Sequence, residues 1–384
     1  MSHNRFRLLI VFLLGGLVAG ASPDSDRLLA ASQADPGKAS IQERLKVVRA
    51  DLFSRAEHIN EDIRELKEIL ALDPRSAEGH LLLGIAYRSL GSQELMGEAV
   101  AELRQALELN PGFAPARFYL AHIYLDLGRA GRAREELEAA LLQVPGNPQF
   151  LALLGEAERQ LKNPRRSVEL ARQALQADES FAQARYYLGL ALFDLGQRDE
   201  AIKELERVVQ SGPNVVEAYL SLGTAYVEAR RFDDALQTLS QATLIDPSRA
   251  DIRIQLARAY RSKGLLVKAD EQLELAAPKG RATLAPSYYQ HQQVEFDLYL
   301  EKGLVKMQRG QLAAAAQAFK KVLEMDPNHG PANRYMAEVY LLQGLYARSF
   351  EHAARAEKLG FPLPEDKRKL LQEGLRRKKA GGRE

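Results

Sequence analysis

A fixed period of 34 residues limits what this chain can fold into more than any other feature. The intervals Pro111 to Pro145, Pro145 to Glu179, Glu179 to Pro213 and Pro213 to Pro247 are each 34 residues long. A recurrence of this length means a solenoid: each repeat is a small unit that cannot bury its apolar face alone, so neighbours must stack. The stretch 217–247, EAYLSLGTAYVEARRFDDALQTLSQATLIDP, shows what one unit is. Tyr219, Leu222, Gly223 and Tyr226 recur at helical spacing and define one apolar stripe. Arg230 to Asp233 break the stripe, and Ala235, Leu239 and Ala242 restart it. Pro247 ends the second helix, because proline offers no N–H and disfavours helix in the residue before it.

The same small and large residues recur in step with the period. Leu83-Gly84 precedes Tyr87, Leu120-Ala121 precedes Tyr124, Leu188-Gly189 precedes Leu192, Leu256-Ala257 precedes Tyr260, and Met336-Ala337 precedes Tyr340. Small residues of the second helices are Ala99, Ala133, Ala201, Ala235, Ala269 and Ala315. This pattern resembles the tetratricopeptide repeat family, with its Leu-Gly, Tyr, Ala and Pro landmarks in a 34-residue unit. The resemblance implies an all-α, right-handed superhelical solenoid of helix-turn-helix repeats. It covers six repeats over residues 75–277 and two more over 294–362. The first landmark is never Trp, Glu158 replaces the Tyr of the third repeat, and Lys302 and Lys306 replace Leu and Tyr in the seventh.

The flanks read differently. Arg5 and Arg7 precede an uncharged apolar run over residues 8–18, shorter than the ~20 apolar residues that span a bilayer comfortably. With Ala19-Gly20-Ala21 behind it, the run reads as a signal peptide over residues 1–21 and a mature start at Ser22. The alternatives are an uncleaved membrane anchor and a buried helix. With no cysteine in the chain, lipid acylation, disulfides and thiol chemistry are excluded. Residues 22–40 read as a flexible linker and 41–74 as a degenerate N-terminal repeat, in which Lys46, Arg49 and Asp62 occupy normally apolar or small positions. Two insertions interrupt the period. Three extra residues are expected in the turn GSQELMG, and twelve more around 278–293, either as a loop followed by an extended first helix or as a partner-contacting protrusion. Residues 363–384 read as a capping helix and basic tail. There Leu370, Leu371 and Leu375 cover the last apolar stripe while Lys367, Arg368, Lys369, Arg376, Arg377, Lys378 and Lys379 face water.

No catalytic pattern emerges. The seven histidines include no pair at metal-ligand spacing, and no nucleophile elbow, phosphate loop or dinucleotide fingerprint is present. The reading is therefore not an enzyme, with no metal or cofactor. A net charge of +2 gives no reason to expect nucleic acid. What remains is a binding surface. If the family pattern holds, first helices line a concave groove, and its residues flank each Leu-Gly pair. They include Phe118, Tyr119 and His122, then Tyr186 and Tyr187, then Arg258, then Arg334 and Tyr335. Tyr119, Tyr187 and Tyr335 share one repeat position. Such rings supply rigid contact area and a hydroxyl for a peptide or helix of a partner protein. The Lys and Asn pair with which some family members grip a C-terminal carboxylate is absent at Leu81 and Ile85, Phe118 and His122, and Ala152 and Glu156. The expected function is a scaffold of an envelope or secreted assembly, periplasmic or extracellular. The alternatives are glycan binding through Tyr119 and Tyr187, or a non-catalytic subunit of an enzyme complex. Membrane contact is expected only if the N-terminal segment stays uncleaved.

Overall fold

Chain reversals fall where the sequence supplies a left-handed residue. With each repeat counted from Pro74, Pro111, Pro145, Glu179, Pro213, Pro247, Gln293 and Pro327 as position 0, position 17 has positive φ in all eight. Six of these residues are glycine, for which that conformation is free of steric cost, and the others are Lys162 (φ 65°) and Arg230 (φ 61°). In seven repeats the next N–H donates back to the carbonyl at position 13, as from Arg129 to Tyr124 and from Gln197 to Leu192. That bond is the Schellman closure of a helix end.

The computed structural model describes residues 40–54, 58–212, 215–277 and 288–380. The expected signal peptide, nearly all of the linker and residues 278–287 of the insertion lie outside them. Two compact units divide between Ala225 and Tyr226. The first contains α1 (Ile41–Ser54), α2 (Ile59–Leu72), α3 (Ala77–Ser89), α4 (Gln93–Leu109), α5 (Ala114–Asp126), α6 (Ala130–Gln143), α7 (Pro148–Gln160), α8 (Pro164–Ala177), α9 (Ala182–Asp194), α10 (Arg198–Ser211) and most of α11 (Val216–Glu228). The second contains α12 (Phe232–Ile245), α13 (Ala250–Ser262), α14 (Leu266–Ala276), α15 (Tyr288–Gln308), α16 (Leu312–Met325), α17 (Gly330–Leu342), α18 (Tyr346–Lys358) and α19 (Glu365–Ala380). No strand occurs among the described residues. Within each unit, second helices pack on the next first helix, and first helices pack on first helices: α3 on α5, α5 on α7, α7 on α9, and α13 on α15. This is the all-α repeat solenoid the period requires.

The small residues are small because helices touch there. Ala133, Ala201, Ala235, Ala269 and Ala315 are fully buried at position 22, and Ala99 is equally buried three residues later in the longer first repeat. A Cβ on Gly84 would fall 2.8 Å from Leu103 Cγ, and one on Gly303 would fall 2.3 Å from the Phe319 ring. The landmark at position 0 also gains a partner that the sequence did not advertise. Position 6 carries a polar side chain that donates to the landmark's carbonyl and reaches the second helix. Arg117 holds Pro111 O at 3.0 Å and Glu136 at 2.7 Å. Arg185 holds Glu179 O and Glu204, each at 2.9 Å. Arg253 repeats the arrangement with Pro247 O and Gln272, and Asn333 with Pro327 O and His352. A loop carbonyl left without a helical donor is thus satisfied.

Several expectations are corrected by the packing. The three extra residues of the first repeat lengthen a helix rather than a turn: α4 has 17 residues and starts at Gln93, inside GSQELMG. Gln, Glu, Leu and Met there are good helix formers, so nothing stops the helix. The extended first helix expected after the insertion is present: residues 288–293 form the first turns of the 21-residue α15. Lys302 and Lys306 add charge contacts to the apolar packing of α15 through Leu298 and Val305, with Lys306 Nζ 2.7 Å from Asp270 and Lys302 Nζ 3.2 Å from Glu274, both on α14. In α19, Leu371 is buried and Leu375 partly so, whereas Leu370 remains exposed. Successive helical residues point about 100° apart, so adjacent leucines cannot share one face. Leu363 takes the place expected of Leu370. Lys367 does not simply face water, because its ammonium reaches the carboxylate of buried Glu338.

Candidate functional site

On each first helix, positions 7, 11 and 15 are four residues apart and lie on one face. In α5 these are Phe118, His122 and Asp126; in α7, Ala152, Glu156 and Gln160; in α9, Tyr186, Leu190 and Asp194. Contacts run between the helices along this face. Arg88 of α3 is almost wholly buried, and its Nε and Nη2 donate to Asp126 Oδ2 at 3.2 and 3.1 Å. Arg159 holds Glu156 through two bonds, of 2.8 and 3.0 Å, and donates 2.9 Å to Asp194 Oδ2 on α9. Gln160 adds a bond to Glu156.

Rings fill the space between these pairs. Phe118 stands edge-on to Tyr119 (5.5 Å), edge-on to His122 (4.7 Å) and tilted against Phe150 (5.4 Å). Phe118, Tyr119 and His122 are all buried in the core of the first unit. Burial pushes the Tyr119 hydroxyl up to about 12, opposed by the nearby Arg88. Burial, with Arg88 as a second cause, holds the His122 imidazole well below its usual range, so it is neutral near pH 7. Its Nε2 is buried with no hydrogen-bond partner. Tyr186 and Tyr187 are half-buried, and their hydroxyls are engaged: Tyr186 with Ser221 Oγ at 3.2 Å, Tyr187 accepting 2.9 Å from Gln183 Nε2. Burial is the main cause raising both phenols, Tyr186 to about 12.

The remaining predicted residues belong to the second unit. Arg258 donates to Gln255 and lies 3.6 Å from Glu301 Oε2, and buried Glu301 also takes the Arg261 guanidinium. Arg334 lies over the Tyr335 ring at 4.6 Å, 3.7 Å from Glu338, and Tyr335 stacks on Phe319. The structure therefore brings Phe118, Tyr119 and His122 together, pairs Tyr186 with Tyr187, and pairs Arg334 with Tyr335. Tyr119 has too little exposed ring to stack on a sugar.

Sequence reasoning missed the charge ladder itself. Arg88 and Arg159 both occupy position 14, and their acceptors Asp126 and Asp194 both occupy position 15; Arg261, at position 14 in the second unit, meets Glu301 instead. The signal lies in the 34-residue period, which these charged residues follow as the small ones do. Among the described residues no group of three His, Asp or Glu could hold a metal ion, and no helix is long and apolar enough to cross a membrane.

Two family models, both described as tetratricopeptide repeat, match the chain, one over residues 92–157, 226–288 and 306–349 and the other over 152–216. No curated protein sequence matches it. Solved structures share the fold. The crystal structure of the APC/C hetero-tetramer Cut9-Hcn1 matches 96% of this chain and 69% of its own at 15% identity, TM-score 0.66. A human IFIT1 dimer with m7Gppp-AAAA matches 88% and 76% at 17% identity, TM-score 0.58. A tetratricopeptide repeat protein from Parabacteroides merdae matches 68% and 98% at 18% identity, TM-score 0.51.

Proposed function

Because the chain belongs to the tetratricopeptide repeat family, we propose that it is a non-enzymatic scaffold that binds a segment of a partner protein on the first-helix face of residues 1–225. The family's fold is commonly an interaction scaffold, and proteins are the partners it suggests. One observation carries the choice of face: α3, α5, α7 and α9 are joined in turn by Arg88 to Asp126, Phe118 to Phe150 and Arg159 to Asp194, with the carboxylates outward. Groups locked by mutual bonds present a rigid surface, and rigidity lowers the ordering cost of binding. The second helices offer only scattered apolar residues such as Leu72 and Leu142.

The test is crosslinking in living cells followed by affinity purification of the C-terminally tagged protein. It compares wild type with a Tyr187→Ala, Asp194→Arg variant and with Leu142→Arg on α6, all checked for helical content. A partner lost from the first variant and kept by the second supports the reading. A partner lost only with Leu142→Arg overturns it. The site of action we propose is an exported assembly, supported by Arg5, Arg7, the apolar run 8–18 and Ala19-Gly20-Ala21. N-terminal sequencing of the mature protein should begin at Ser22, and retention of Met1 in a cytoplasmic fraction would refute it.

A further inference from the structure

We infer that the first-helix face of residues 1–225 selects a cationic partner segment, one bearing lysine or arginine; this rests on that face being the docking surface proposed above. Where the charges sit supports it. Both arginines of the ladder lie inward and are spent on carboxylates, while the acceptors stand outside: Arg88 is 5% exposed against 43% for Asp126, and Arg159 25% against 38% for Asp194. Arg88 directs both of its donors to Oδ2 of Asp126, and Arg159 meets Oδ2 of Asp194. Each aspartate keeps its Oδ1 without a bond among the described residues. Arg88, Asp126, Glu156, Arg159 and Asp194 together leave the ladder one negative charge in excess.

A second, independent feature points the same way. His122 shares its helix face with Asp126, four residues on, and its buried Nε2 has no partner. Burial and Arg88 keep the ring uncharged, one turn below the Asp126 carboxylate. The exposed Asp126 carboxylate suits an ammonium or guanidinium donor, and the uncharged imidazole beneath it sets no cation against one. The second unit differs, because there the cations outnumber the carboxylates they meet. Glu301 is matched by Arg258 and Arg261, and Glu338 by Arg334 and Lys367. An acidic segment would meet the exposed Asp126 and Asp194 carboxylates, while Arg88 and Arg159 are already engaged.

The test is selection of random nonapeptides displayed on phage against the full-length protein at low and at physiological salt. We expect lysine and arginine to be enriched at least threefold over input, with aspartate and glutamate depleted. Peptides resynthesised from the selection should bind at least fivefold more weakly at the higher salt, since exposed charge pairs are screened. Asp194→Asn is the main variant, because Arg159 keeps its two bonds to Glu156 and the fold does not depend on the change. It should weaken the selected peptides at least threefold, and Asp126→Asn should act alike if helical content is unchanged. Enrichment of acidic residues, or no charge preference, or binding indifferent to both variants overturns the inference. A Tyr187→Ala selection run beside it separates the two levels. Neutral peptides captured by wild type and lost by Tyr187→Ala would leave the docking face standing and remove only its charge selectivity.

Discussion

Asp62 places a titration inside the N-terminal repeat. The side chain is 4% exposed, its Oδ2 has no partner, and Asp51, Glu61 and Glu65 surround it. Arg44 on the facing helix is committed to Glu65 and Glu68. Burial first, then the three neighbouring carboxylates, raise its pKa from 3.8 to about 7. A carboxyl that binds its proton more tightly folded than unfolded stabilises the fold while protonated. That stability is fully present below about pH 4 and is lost as pH rises to about 7. At about 1.4 kcal/mol per unit, the shift of roughly three units corresponds to about 4 kcal/mol across this window. Asp62→Asn removes the titration and keeps the shape. The assay is urea denaturation from pH 4 to pH 8, followed by helical signal and by amide exchange of α2. Wild type should lose stability relative to the variant by up to ~4 kcal/mol between the ends of the range, with α2 the segment that opens. A difference that does not change with pH would refute the reasoning, whatever its absolute size.

The other predictions are local. Lys162→Gly and Arg230→Gly should each raise stability by roughly 0.5–1 kcal/mol, because a side chain at positive φ costs more than glycine's extra chain entropy; thermal melts that fall instead would show the turn is not strained. Gly303→Ala drives a methyl into the Phe319 ring and should cost roughly 1–3 kcal/mol in denaturant titrations. Arg185→Ala frees the Glu179 carbonyl and Glu204 and should cost about 1–2 kcal/mol. The ring protons of His122, followed by NMR, should titrate well below the usual imidazole range; a midpoint near 6.5 would mean the ring is open to water.

The architecture was legible because its signal repeats. Each small residue at position 10 or 22 is weak alone, but eight copies at one period leave little choice of fold, and the burial of Ala99 through Ala315 follows from that. Helix lengths were harder. Nothing in GSQELMG says whether three more residues loop or coil, since Gly91 at positive φ already closes the turn before Gln93 begins α4. The site was legible in place and not in chemistry. Repeat position put Phe118, His122 and Tyr187 on one face, but burial of the first two depends on how closely α5 and α7 approach. The pairing of Arg88 with Asp126 joins residues 38 apart, and charged residues obey the helix-packing register only after the stack exists. Leu370 and Leu371 illustrate the same gap, because which of two adjacent leucines is buried depends on the rotation of α19, set by Gly374 lying against Tyr346.

The proposed docking surface is the first-helix face of the first unit. A photoreactive phenylalanine analogue placed at Asp194, on α9, and separately at Leu142, 81% exposed on α6, tests it in living cells. Irradiation should give a discrete protein adduct from position 194 and none from 142. An adduct from 142 with none from 194 would contradict the claim and move the docking surface to the second helices.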